Sequence, residues 1–318
     1  MHFYPMKMTP CFKDYLWGGD ALKRVFGKDS GFDVTAESWE LSAHEGGSSI
    51  IAAGEFAGQD FKSFICAHPE AVGSRFSGDD FPVLIKFLDV NTMLSVQVHP
   101  SDETALKGEQ GKAEVWYIAD AAPGAYIYYG LDKEVAKEDF MRMVEDGTVC
   151  ECLHKEPVEP GQVWFITPGV VHSAVGGVLV AEVQQSSNTT FRVYDFDRTD
   201  AAGNKRELHL KRACDVMTFK PVRCGDMRIN SSVYARGYTY ENLFECSYFK
   251  LDRIKLEGGL LLKADSVSFN ALMCMRGGGS IVFEGEGYEF KAGDCYFIPA
   301  GMGKYELKGR AEMLLTRL

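Results

Sequence analysis

The chain has 318 residues, a length that suits about two domains with a sizeable core and excludes a peptide hormone or disulfide mini-protein. Its 45 Asp and Glu against 34 Lys and Arg leave a formal net charge of −11, which argues against a broad phosphate-backbone-binding surface and hence against nucleic acid as a partner. No run approaches the roughly 18 apolar residues of a membrane helix, the start Met1-His2-Phe3-Tyr4-Pro5 lacks the pattern of a signal peptide, and nine scattered cysteines form no C-x-x-C pair, so a soluble, cytoplasmic protein away from membranes is expected.

Thirty-three glycines and 12% aromatics favour short strands joined by tight turns. In chain order, short helical turns are predicted at Phe61 to His68 and Ser74 to Phe76. Strands follow at Phe81 to Val90, Met93 to Val98, Ala113 to Ile118 and Ala125 to Tyr129. Lys133 to Glu145 is the best helix, with Val135, Phe140, Met143 and Val144 able to share one apolar side. Further strands are predicted at Gln162 to Ile166, Val178 to Gln184, Phe244 to Ile254, Ser266 to Met275, Ser280 to Phe283 and Asp294 to Ile298. The expected architecture is mainly β with a small helical insertion. A boundary near residue 240, after Asn230-Ser231-Ser232, would separate a domain at 1–240 from one at 241–318.

Residues 160–172, PGQVWFITPGVVH, lie over 292–304, AGDCYFIPAGMGK, without a gap. Gly161 meets Gly293, Phe165-Ile166 meets Phe297-Ile298, and Gly169 meets Gly301, so one turn-strand-turn element is used twice. This element resembles the second motif of the cupins, small β-barrels of jelly-roll type, and implies two such barrels. The last aligned pair differs: His172 in the first copy, Lys304 in the second, with no His beyond His209. Metal chemistry is therefore expected in the first barrel and not in the second.

Ser95, Gln97 and His99 alternate along one strand and share a face, as do Lys112 and Glu114, while His172 follows a Pro-Gly turn that aims it at the barrel mouth. Two imidazoles, a carboxylate and an amide oxygen make a plausible four-ligand shell for a divalent metal. Spacing alone does not choose among zinc, manganese and iron. His2, His44, His68, His154 and His209 are read as structural, and no cysteine is assigned a chemical role.

The segments Phe81 to Asp89, Leu94 to Pro100, Gly111 to Tyr117 and Phe191 to Phe196, with Trp17-Gly18-Gly19 and Glu37 to Ser42 before them, resemble the type I mannose-6-phosphate isomerases of the short bacterial branch. The resemblance spans roughly residues 10 to 200. It implies an isomerase that interconverts mannose 6-phosphate and fructose 6-phosphate through an enediolate, with one Zn²⁺ per chain on Gln97, His99, Glu114 and His172. It also carries over Glu182 as an acidic residue near the site, a base or acid for the proton transfer, and Lys112 and Arg192 as catalytic cations. Ser95, Lys86 and Arg192 are the substrate-binding candidates, since a phosphosugar partner needs local cations in a chain of net charge −11. Trp17, Trp39 and Trp116 could wall the sugar or pack in the core. Two other readings stay open at this level: a different metal cupin such as an Fe(II) oxygenase, and a sugar-binding cupin without chemistry. The oligomeric state is not legible.

Overall fold

In the computed structural model, which describes residues 2–78, 80–200, 202–223 and 231–318, the first two-thirds of the chain build two antiparallel sheets that face each other. One sheet runs in the order Val163–Ile166, Glu114–Ala121, Val178–Gln185, Val83–Val90, Glu37–Leu41, Cys11–Lys13. The other runs Leu153–Pro157, Tyr126–Leu131, His172–Val175, Val96–Val98, Phe191–Tyr194.

Strand Val83–Val90 is buried at every position, and the reason is that its sheet is covered on both faces. Leu88, Val90, Trp116, Ile118, Val178 and Val180 point into the barrel and meet Ile127, Tyr129 and Ala174. Their neighbours Ile85, Phe87, Val115, Leu179 and Ala181 point outward, against Phe244, Phe249, Leu251 and Phe297 from the C-terminal third. The smaller sheet is covered on its outer face by helix Lys137–Glu145, which buries Phe140 and Val144, and by helix Leu210–Val216. Both barrel walls are thus clamped from outside, which fixes the positions of inward side chains.

The C-terminal third is a sheet of long strands in the order Tyr238–Glu245, Lys250–Ala264, Gly303–Arg317, Asn270–Phe283, Cys295–Ile298. The first strand of the chain, Met6–Thr9, joins its edge, with Met6 opposite Phe297. At its other end Met8 lies opposite Ile51, so residues 6–9 tie the two units together. The mainly β expectation holds, and no helix among the described residues is long and apolar enough to cross a membrane.

The repeated element is matched strand for strand, Val163–Ile166 against Cys295–Ile298. Its four flanking glycines, Gly161, Gly169, Gly293 and Gly301, all adopt positive φ of 78–93°, a conformation costly for any residue with a Cβ. Other boundaries moved. The predicted strand Phe244 to Ile254 is broken by a turn in which Cys246 N–H donates to the Phe249 carbonyl. The predicted runs Ser266 to Met275 and Ser280 to Phe283 fuse into Asn270–Phe283. There Gly279 permits close strand contact, since a Cβ would fall 2.0 Å from the Lys308 carbonyl oxygen. The insertion helix begins at Lys137 rather than 133, and the short turn expected at 74–76 is present, with Phe76 N–H donating to the Gly73 carbonyl, preceded by a 3-10 helix at Pro69–Ala71. Asn230 of the expected boundary lies outside the described residues.

Candidate active site

At one end of the first barrel the inward positions change from apolar to charged. Strand register sets the pattern: Glu182 stands opposite both Lys86 and Trp116, and Glu114 opposite Gln184. On the facing sheet Gln97 stands opposite both His172 and Arg192. A side-chain period of two along each strand then sends Lys86, Glu114 and Glu182 into the same space as Gln97 and His172.

One ring nitrogen each of His99 and His172 and one carboxylate oxygen of Glu114 lie within 4.8 Å of one another, all three residues being buried. His172 Nε2 is 3.3 Å from Glu114 Oε1, and His99 Nε2 is 3.6 Å from Glu114 Oε2. Both Nδ1 atoms sit 2.9 Å from backbone carbonyls, His99 at Thr189 and His172 at Val170. A carbonyl only accepts, so each Nδ1 carries the hydrogen and each Nε2 turns a lone pair toward Glu114. The Gln97 amide nitrogen lies 3.4 Å from His172 Nε2, beside the group.

This donor set fits a divalent cation. Neither oxygen of the fully buried Glu114 has a hydrogen-bond partner, although Lys112 Nζ lies 3.0 Å from Oε2. A carboxylate and two imidazole lone pairs converging at one buried point favour a positive charge there; the Lys112 ammonium, 3.0 Å from Glu114 Oε2 and 3.3 Å from His99 Nε2, supplies one on one side, and the donor set facing His172 suits a cation on the other. Burial, reinforced by the charge of Lys112, pushes the His99 imidazole down to about 3, so it stays neutral and able to ligate. For Glu114, burial acts upward, but Lys112 and then His99 outweigh it and hold the carboxyl well below its ordinary value.

Beside this group lies a cavity of about 260 Å³ whose lining includes Lys86, Ser95, Gln97, Lys112, Glu182 and Arg192. Glu182 is almost completely buried; its Oε2 accepts from Trp116 Nε1 at 2.9 Å and its Oε1 lies 3.2 Å from Lys86 Nζ. Burial, then the nearby charge of Glu114, raises its carboxyl above the ordinary range, with Lys86 acting the other way. Burial alone would lower the Lys86 ammonium, but Glu182 and Glu37 more than offset that and raise it. Arg192 donates from Nη1 to the Glu207 carbonyl at 2.7 Å, while its buried Nε has no partner.

Every site residue expected from the sequence therefore falls in one region. Of the three tryptophans, Trp17 lines the cavity, Trp116 packs edge-on against His172 at 5.5 Å, and Trp39 stacks under the Lys86 ammonium. The cavity also takes in Tyr15, Glu37, Asn188, Thr190 and Arg206, none of which was assigned a role from sequence. Glu37 carried little signal, since the strand Glu37–Leu41 holds a second carboxylate and a serine and reads as mixed. Arg206, in a polar hairpin, carried no signal. In the second barrel Lys304 is exposed, and the only His/Glu group able to hold a metal among the described residues is the one above.

Two family models match the chain. A family model described as "Phosphomannose isomerase type I, catalytic domain" matches residues 6–127, and one described as "Mannose-6-phosphate isomerase, cupin domain" matches residues 239–318. Mannose-6-phosphate isomerase ManA of Bacillus subtilis is 36% identical, with 99% of each chain covered. The mannose-6-phosphate isomerase of Streptococcus mutans is 33% identical over 95% of this chain and 94% of its own. A crystal structure of the mannose 6-phosphate isomerase from Bacillus subtilis superposes with a TM-score of 0.91 at 33% identity, covering 99% of both chains.

Proposed function

This chain belongs to the type I phosphomannose isomerase family and is a mannose-6-phosphate isomerase, and from that premise we propose that it interconverts mannose 6-phosphate and fructose 6-phosphate through an enediolate with one zinc ion held by Gln97, His99, Glu114 and His172. The observation that carries this reading is the convergence of two Nε2 lone pairs on a buried carboxylate without hydrogen bonds, at the edge of a cavity walled by cations. A bound zinc would supply Lewis acidity where negative charge gathers on the sugar oxygens. Two neutral imidazoles, a neutral amide and one carboxylate would leave such a centre net positive, which suits an anionic transition state.

The chain's own groups supply the rest. Glu182 moves the proton between C1 and C2. Trp116 fixes its Oε2, and Oε1, 3.2 Å from the Lys86 ammonium, is the oxygen that takes the proton. A carboxyl raised by burial is a stronger base than a solvated one. Lys112, 3.0 Å from Glu114 and 3.3 Å from His99, places its ammonium beside the developing oxyanion. Lys86 already faces two carboxylates, so its role toward substrate is to donate a hydrogen bond to a sugar oxygen together with Ser95 while holding Glu182 in place. Arg192, whose charge faces no carboxylate in a direct pair, holds the phosphate.

The test is metal analysis of the purified protein joined to a coupled assay on mannose 6-phosphate. About one zinc per chain is expected, a chelator should abolish turnover, and added zinc should restore it. His99→Ala and His172→Ala should lose metal and turnover together. Full activity in metal-free protein, or in either variant, would overturn the ligand assignment.

A further inference from the structure

We propose that Arg206, oriented by Asp195, is the second half of a two-guanidinium seat for the substrate's phosphate, partnering Arg192 across the cavity mouth. This rests on the isomerase reading above and names a residue that reading does not use.

Three observations carry it. First, both side chains line the same cavity, and the backbone brings them there together. Arg192 N–H donates to His209 Nδ1, His209 N–H donates to the Arg192 carbonyl at 2.7 Å, and Arg192 Nη1 reaches the Glu207 carbonyl. Segment 206–209 is thereby pinned alongside strand Phe191–Tyr194.

Second, Arg206 is pre-aimed. Its Nε donates to Asp195 Oδ2 at 2.8 Å and its Nη2 to Oδ1, a two-point grip that fixes the plane of the guanidinium. Asp195 is itself held by Arg198, and the next two residues, Phe196 and Asp197, sit at φ of 56° and 55°, a region side-chain-bearing residues seldom occupy. The chain accepts that conformation just where the carboxylate orienting Arg206 must be presented.

Third, the charges are unbalanced in the right sense. Arg198 and Arg206 both pair with Asp195, and Arg192 pairs with no carboxylate among the described residues, leaving +2 at this end of the cavity. At the other end Lys86 faces both Glu37 and Glu182, and Lys112 faces Glu114, leaving −1. A phosphate monoester near neutral pH carries about −1.5 to −2. It is therefore drawn to the arginine end, which leaves the sugar carbons to extend toward Glu182 and the ligand cluster.

The experiment compares turnover of mannose 6-phosphate with calorimetric binding of inorganic phosphate in wild type and variants. R206Q should raise KM and the phosphate Kd together by roughly 10- to 100-fold, the scale of a lost charge-assisted hydrogen-bonded pair, with kcat changed less than about threefold and metal content unchanged. R206K, which keeps the charge without the fork, should show a several-fold rise. D195N should move KM and Kd in the same direction by less, because the guanidinium remains but swings. K205A, whose cation pairs with the exposed Asp197, is the control and should match wild type. Wild-type KM and phosphate Kd in folded R206Q would overturn the seat, and should R206Q not fold, R206K is judged by the same criterion. A wild type that binds phosphate in an Arg206-dependent way but turns over neither hexose phosphate would sink the isomerase reading and leave the seat standing.

Discussion

Lys86→Met gives the sharpest test of how the charged layer is held. Lys86 is 4% exposed, and its ammonium lies 3.2 Å from Glu182 and 3.5 Å from Glu37. Methionine keeps an unbranched apolar stem in the wall but leaves two buried carboxylates without their cation. Breaking a buried pair from one side costs about 3–5 kcal/mol. For 318 residues the unfolding entropy is on the order of 0.7 kcal/mol/K, so Tm should fall by about 4–8 °C. The pH dependence has a definite sign. Glu182 is already raised by burial and by Glu114, and losing Lys86 raises it further. A carboxyl with a raised folded pKa binds more protons folded than unfolded, so stability falls as pH climbs from the ordinary carboxylate range through the folded value. The deficit of Lys86→Met relative to wild type should thus shrink on acidification, and the acid limb of its kcat/KM profile should move to higher pH. Adding Glu182→Gln should recover part of the lost stability, not all, because Glu37 stays unpaired. Urea unfolding at pH 5 and pH 8, with a pH–rate profile, makes the measurement. An unchanged midpoint with an unchanged pH slope would refute the ion-pair account.

Trp116→Phe removes the indole N–H that Glu182 Oε2 accepts, and should cost about 1–2 kcal/mol in stability and shift the acid limb of kcat/KM upward, because the ionised carboxylate loses a donor; an unmoved limb would separate Glu182 from the titration. In chelator-stripped protein, the depressed His99 imidazole should contribute stability that is complete above about pH 6.5 and lost as pH falls toward about 3, so His99→Gln should flatten that part of the stability curve; an identical slope in the variant would contradict it. Lys304→Ala, at an exposed position of the second barrel, should leave turnover and Tm near wild type, and a large loss of turnover in a folded variant would place chemistry where none is expected.

Metal-ligand candidates were legible because their signal is local. Ser95, Gln97 and His99 alternate along and just beyond the strand Val96–Val98, Lys112 and Glu114 stand two apart at the start of another, and His172 follows a glycine turn whose twin at Gly301 marks it as a repeated device. Glu182 was legible as a charge stranded among valines, but its partner was not: the strand ladder supplies Lys86, almost a hundred residues away. Arg206 was illegible, since its polar hairpin looks like any solvated turn and only the pairing of residues 192 and 209 brings it to the cavity. Strand limits failed where composition misleads. Glycines 277–279 looked like a turn but sit inside Asn270–Phe283, where the neighbouring backbone passes too close for side chains. The strand Met6–Thr9 is too short and mixed to stand out, and its partner Cys295–Ile298 lies at the far end of the chain.

The division of labour between the two barrels follows from the cost of the charged layer. In the first barrel three buried carboxylates, Glu37, Glu114 and Glu182, and two buried ammoniums, Lys86 and Lys112, occupy inward positions that would otherwise carry apolar side chains. Desolvating them is unfavourable even when paired, and a barrel of this size has little stability to lose. The second sheet makes the opposite choice at its inward positions, with Ile254, Leu256, Leu272, Ile281, Leu307, Met313 and Leu315 in a continuous apolar cluster. Its other face packs on the outside of the strands that carry Lys86, Glu114 and Glu182, through Phe244, Leu251, Phe269 and Phe297. The seam is also ionic: Lys28 joins Glu40 at 2.8 Å to the Gly293 carbonyl at 2.8 Å, and Lys7 reaches Asp294 at 2.7 Å. The C-terminal sheet thus packs as an apolar backing on the outer face of the strands that carry Lys86, Glu114 and Glu182, which fixes where their inward side chains stand.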